Sequence, residues 1–172
     1  DFYKIQDTTE IDFARKTILD DKVYDFVVFS NNVNIPRKQL PNLLLSFEEF
    51  SKRNDKKVCL VCHCNPSSQA DINLRSIASE FCKTSDIIFT ESQLSTDDLN
   101  KLYNISDVTI NISSNEGFGL STLESLMTET PIIATDTGGL TDQMYENESP
   151  GEWAYPIKPT TRRLNSGGDV IY

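Results

Sequence analysis

YDFVVFSNNVNIPRKQLPNLLLSFEEF, residues 24–50, decides the fold class. Its opening run, Tyr24 to Ser30, is short, apolar and rich in β-branched and aromatic side chains, which predicts a buried strand. The period then changes. Leu40, Leu43, Leu44, Phe47 and Phe50 recur at helical spacing, with Pro41 in the first turn, where proline is tolerated. Glu48, Glu49, Lys52 and Arg53 form the solvated face of that helix.

The same strand–helix unit repeats outward from this stretch. Lys57 to Cys62 (KVCLVC) predicts a second strand, Asp71 to Cys82 a helix, and Asp86 to Phe89 (DIIF) a third strand. Ser95 and Asp98 are spaced as a capping box that opens a helix with the apolar stripe Leu99, Leu102 and Tyr103. Asp107 to Ile112 (DVTINI) is the fourth expected strand. A glycine loop, a helix over Leu120 to Thr128, a fifth strand Pro131 to Ala134 and a short helix after Gly138-Gly139 follow. Strands alternating with helices in this way predict an α/β domain, a Rossmann-like parallel sheet with helices on both faces. Such sheets bind ligands at the carboxyl ends of their strands, so residues just after strands are the site candidates. Fold alone does not name the ligand.

Composition narrows the function classes. With 172 residues, 38% of them hydrophobic, the chain is long enough for one core. A formal net charge of −10 opposes the long-range attraction that nucleic acid or an anionic membrane requires, so any bound phosphate must be captured locally. No run approaches the roughly 20 apolar residues of a membrane span. The start, Asp1-Phe2-Tyr3-Lys4, has neither a signal-peptide pattern nor an initiator Met, which suggests a chain cut from something larger. Cys59, Cys62, His63 and Cys64 crowd together, but alternation along a strand sends Cys59 and Cys62 to opposite faces. Reduced core cysteines and a cytoplasmic location are therefore expected, with no metal site. His63, the sole histidine, follows the second strand, and a structural or solvent-facing role is expected for it.

The chemistry concentrates in Ser113 to Glu124 (SSNEGFGLSTLE), directly after the fourth strand. Gly117 and Gly119 allow close backbone approach, and the helix that follows offers unpaired N–H groups and a positive dipole end, a combination suited to a diphosphate. Glu116 and Glu124 flank the loop with seven residues between them. Two carboxylates beside a polyanion are unfavourable unless they face hydroxyls, which a sugar and a ribose at the two ends of a diphosphate supply. Arg37 and Lys38 are the cations that follow the first strand. Taken alone they read as solvated loop charges, and Glu124 as a surface helix residue.

These segments resemble glycosyltransferase family 4, enzymes of the GT-B architecture in which two Rossmann-like domains face each other. The resemblance runs through Ala14-Arg15, Ile35-Pro36-Arg37-Lys38, Leu99 to Asp107 (LNKLYNISD), Glu116 to Glu124 and Pro131 to Gly139 (PIIATDTGG). It implies a retaining transfer of a sugar from a UDP- or GDP-linked donor to an acceptor hydroxyl, with no metal or other cofactor. Glu116, Lys38 and Arg37 would be catalytic. Glu116 would hydrogen-bond the donor sugar, and the amides of Gly117, Phe118 and Gly119, with Leu120, would line the sugar and pyrophosphate. Lys38 with Arg37 would pair with the diphosphate, Glu124 would take the ribose hydroxyls, and Ser92 to Leu94 would border the base.

The resemblance also implies an organisation. Residues 1–23 would be the interdomain connector and first helix, and 24–172 the C-terminal donor domain, with the N-terminal acceptor domain absent. Partners would be the donor, a glycan, lipid or protein acceptor, and that missing domain, through which the protein could lie peripheral to a membrane. The segment from Ile157 to Tyr172 reads as a loop that stops before closing helices. One departure stands out: relatives carry an Arg four or five residues before the Arg37 position, where Asn32 and Val33 stand here. A non-catalytic nucleotide-sugar-binding or regulatory module is the rival reading. A sugar-nucleotide epimerase is disfavoured by the glycine-flanked pair of glutamates.

Overall fold

The computed structural model describes residues 4, 7–67, 72–160, 163–164 and 170–171. Its sheet is built from β1 (Phe26–Asn31), β2 (Val58–His63), β3 (Asp86–Thr90), β4 (Val108–Asn111) and β5 (Ile132–Thr135). Two short strands, β6 (Tyr145–Glu146) and β7 (Ser149–Pro150), form an antiparallel pair, and β8 (Ala154–Ile157) completes the main sheet. The main-sheet order is β3-β2-β1-β4-β5-β8, all parallel. Strand order therefore reverses between β1 and β4. That reversal opens a crevice at their carboxyl ends.

The helices are α1 (Thr8–Ile18), α2 (Leu40–Lys52), α3 (Leu74–Phe81), α4 (Thr96–Asn104), α5 (Leu120–Met127) and α6 (Gly139–Met144). One sheet face carries Val28, Leu60 and Cys62 against Leu40, Leu43, Leu44 and Phe47 of α2 and Leu74 of α3. The other carries Val27, Phe29, Cys59 and Val61 against Ala14 of α1 and Leu102 and Tyr103 of α4. On this second side Ile132 and Ala134 of β5 also meet Leu140 and Met144 of α6. Alternation along β2 thus separates Cys59 from Cys62 as expected, and all four cysteines are free.

Local chemistry sets the element ends. Ser95 caps α4 by accepting from the Asp98 amide at 3.1 Å and donating to the Asp98 carboxylate at 2.8 Å. Pro41 lies in the first turn of α2. Helix α3 begins at Leu74 behind the Asn73 cap, later than the expected start at Asp71, which lies outside the described residues. The segment after Ile157 is corrected as well. Ile157 is the last residue of β8, and Arg163–Leu164 pairs antiparallel with Val170–Ile171. Sequence periodicity misses β8 because AYPI is short and contains Pro156. The strand tolerates that proline because it pairs on one side only, with β5.

Two parts of the scaffold lie far from the crevice. At the amino ends of the strands, Asp107 accepts from the Val27 amide at 2.7 Å and from Arg15 at 3.2 Å. Glu48, expected on the solvated face of α2 with Glu49, Lys52 and Arg53, is instead 2% exposed, because it turns to accept from the amides and hydroxyls of Thr84 and Ser85, at 2.8–3.2 Å. Burial pushes its carboxyl up, but those donors outweigh burial and hold it down at about 2. A depressed folded-state value stabilises the fold above the ordinary value near 4.5 and loses that contribution as pH falls from there toward 2. Acid titration of unfolding free energy should show a loss on the order of 2 kcal/mol in that window, absent in Glu48→Gln.

Candidate functional site

The two loops that flank the β1–β4 crevice are tied to each other. Ser114, after β4, donates its amide to the Arg37 carbonyl at 2.8 Å, which brings the chain after β1 beside the glycine loop. Arg37 and Lys38 lie in a 3-10 turn, Pro36–Lys38, and Gln39 then adopts φ 58° before α2 begins. Lys38 is buried, 9% exposed, and its ammonium pairs with Glu116 Oε2. Arg37 Nη1 lies 3.3 Å from that same oxygen and donates to the Asn115 carbonyl at 2.9 Å. Burial pushes the Glu116 carboxyl up, but Lys38 and Arg37 outweigh it and hold the group below its ordinary value. Glu116 is therefore an anion shared by two cations.

The glycines of the loop differ in what they require. Gly119 has φ +87°, and an added Cβ there would lie 2.5 Å from Leu140 Cδ2 and 2.7 Å from Thr122 Oγ1. The fold itself demands that glycine. At Gly117 an added Cβ meets nothing within 4 Å, so the space beside this backbone is open. Phe118 and Leu120 are exposed beside it. Helix α5 begins at Leu120 with Gly119 as its N-cap, no capping side chain and no acidic residue in its first turn. Its first amides are available to an anion.

Gly138 and Gly139, which sequence alone reads as shaping a turn, hold this loop from behind. The Gly139 amide donates to the Glu116 carbonyl at 3.1 Å, and Gln143 Nε2 on α6 donates to the Phe118 carbonyl at 2.6 Å. Their signal in sequence is only the paired glycines; the Gly139–Glu116 contact spans 23 residues and has no local trace.

Glu124 stands further along α5, half-buried, accepting from the Tyr103 hydroxyl at 2.7 Å. Tyr103 is itself fully buried, takes a hydrogen bond from Asn31 Nδ2 at 3.0 Å and packs edge-on against Phe29. Asn31, Tyr103 and Glu124 thus connect the end of β1 to α5. Tyr103 and Asn31 are contributors that sequence reading missed, because a tyrosine at a helical core position carries no polar signal.

Leu94 is not drawn into this cluster. It packs with the apolar residues of α1 and α4 and lines a groove of about 880 Å³ with Phe13, Ser92 and Leu102, which includes no residue of the glycine loop. A smaller cavity, about 520 Å³, lies at the ends of β1 and β2 between Asn31, Val33, Ile35 and His63. His63 Nδ1 bonds to the Thr90 carbonyl at 3.0 Å, joining the ends of β2 and β3. Asn32 Oδ1, Asn34 Oδ1 and Asn111 Nδ2, all buried on the segments that border the crevice, have no hydrogen-bond partner among the described residues.

The family model described as glycosyl transferases group 1 matches residues 10–160. The chain belongs to that family. An uncharacterized glycosyltransferase of Methanocaldococcus jannaschii is 38% identical over 63 residues, 37% of this chain and 16% of its own length. The C-terminal domain of a Francisella tularensis glycosyl transferase group 1 protein superposes with a TM-score of 0.66 at 18% identity, over 93% of this chain and 78% of that one. Anabaena HepE in complex with UDP and glucose gives 0.67 at 16% identity, over 91% of this chain and 40% of that one. These two structures show a shared fold, that of the GT-B C-terminal domains. Among the described residues no helix is long and apolar enough to cross a membrane.

Proposed function

We propose that this chain is the donor-binding domain of a retaining glycosyltransferase, which takes a UDP- or GDP-linked sugar and passes it to an acceptor hydroxyl of a glycan, lipid or protein. One observation carries the reading: Lys38, Arg37 and Glu116 converge beside the uncapped start of α5, at the point where strand order reverses. A diphosphate at that point meets two cations and the free amides of α5, which stabilise the charge that grows on the leaving nucleotide. This leaves no step that needs a metal ion. The open side of Gly117 admits the sugar, within reach of Glu116. Glu124 faces the ribose, its orientation fixed by Tyr103. The acceptor comes from a second, N-terminal domain across the crevice. That a solved structure of the same fold holds UDP and glucose supports the donor class.

Calorimetry with UDP, GDP and their sugar conjugates, in EDTA, tests the reading. Glu124→Gln preserves an acceptor for Tyr103 and removes the charge that grips ribose, so affinity should fall by roughly 1 to 2 kcal/mol with stability nearly unchanged. Equal affinities in wild type and variant would remove Glu124 from the site. Binding that disappears in EDTA would overturn the metal-free assignment.

A further inference from the structure

We propose that Glu116 discriminates the nucleotide-sugar donor from the nucleoside diphosphate product by holding the cations that the diphosphate needs until sugar hydroxyls offer its carboxylate another set of partners. The inference rests on the donor-binding reading above. Its basis is that both cations grip one oxygen, Glu116 Oε2. The Lys38 and Glu116 side chains are only 10% and 12% exposed, so water screens their pairing weakly. A diphosphate that takes the ammonium donor now given to Glu116 therefore exchanges with a carboxylate already there.

The two nucleotides differ in how they compensate that exchange. A donor brings hydroxyls beside the diphosphate, and a carboxylate released from Lys38 can accept from them. A nucleoside diphosphate brings none, and its terminal phosphate, freed of the sugar, carries more negative charge near neutral pH. Glu116 displaced by it stands beside a polyanion with no new donor, which is unfavourable. Without Glu116 the order reverses, because the more charged product then gains most from two unoccupied cations. The carboxylate thus acts against retention of the product while leaving the donor its place.

Glu116→Gln keeps the side chain's shape and removes its charge. Calorimetry would compare wild type and variant for UDP, GDP, their sugar conjugates and inorganic pyrophosphate, with thermal unfolding followed on the same samples. The variant is expected to bind pyrophosphate and the preferred nucleoside diphosphate about tenfold tighter, the factor of one charged hydrogen bond no longer displaced. Its affinity for the matching sugar conjugate should be unchanged or weaker. A folded variant that binds the nucleoside diphosphate no tighter than wild type overturns the discrimination and leaves the donor-binding reading intact. A wild type that binds none of these ligands overturns both. Pyrophosphate separates a clamp effect from a base effect, since a gain for the nucleotide without a gain for pyrophosphate also counts against the inference.

Discussion

Lys38→Ala is expected to weaken nucleoside diphosphate binding by about 2 to 4 kcal/mol, the scale of losing an oxyanion-type donor or one member of a buried charge pair. Lys38 is 9% exposed and sits where the two crevice loops meet, so water cannot replace it. The substitution also leaves the Glu116 carboxylate with Arg37 alone, whose side chain is 43% exposed and better screened. Some loss of stability should therefore accompany the loss of affinity. Arg37→Ala should cost less on both counts. Isothermal titration with the diphosphate and with the uncharged nucleoside separates the effects: affinity for the nucleoside should hardly change. Equal diphosphate affinity in Lys38→Ala and wild type would remove Lys38 from the phosphate site.

The position where resembling enzymes carry an extra Arg can be placed on the same map. Asn32 is 7% exposed and bonds Ser30, whereas Val33 is 68% exposed at the mouth of the cavity beside β1. Val33 is therefore the position from which a long cationic side chain reaches outward.

Much of this was legible in the sequence, for reasons that differ by residue. The alternation of buried strands and amphipathic helices follows from period alone, as the opposed faces of Cys59 and Cys62 show. The capping box at Ser95 is equally local. The resemblance singles out Glu116, Lys38 and Arg37, yet their convergence on a single oxygen lies beyond periodicity, since 78 residues separate Lys38 from Glu116. Part of the family-like pattern proves to be scaffold: Arg15 and Asp107 meet at the amino ends of the strands, away from the crevice. Asp136, in the PIIATDTGG segment, accepts from Thr141 at 2.7 Å and Tyr145 at 2.9 Å and so fixes α6. Leu94, which the resemblance sets beside the base, packs against an apolar cluster and lines a groove that includes no residue of the glycine loop.

Gly138 offers the sharpest separation of scaffold from site, when set against Gly117. Gly138 has φ +51° and ψ −138°, and an added Cβ would fall against the Glu116 carbonyl oxygen. Its neighbour Gly139 is equally confined, with Gly117 O at 2.5 Å and Phe118 Cα at 2.7 Å from an added Cβ. Gly138→Ala combines backbone strain with forced displacement of the Glu116–Phe118 segment, at a combined cost of about 3 kcal/mol. Because that segment carries the carboxylate that Lys38 and Arg37 grip, both unfolding free energy and donor affinity should fall. Gly117→Ala should behave differently. Its added methyl group meets no protein atom within 4 Å, so the fold should keep its stability to within about 0.5 kcal/mol. Any loss of nucleotide-sugar affinity in that variant then reports a ligand that occupies the open side of the loop. Chemical denaturation and calorimetry on the two variants decide the matter. If Gly138→Ala is as stable as wild type, α6 does not hold the loop. If Gly117→Ala binds the donor unchanged, the sugar lies elsewhere in the crevice.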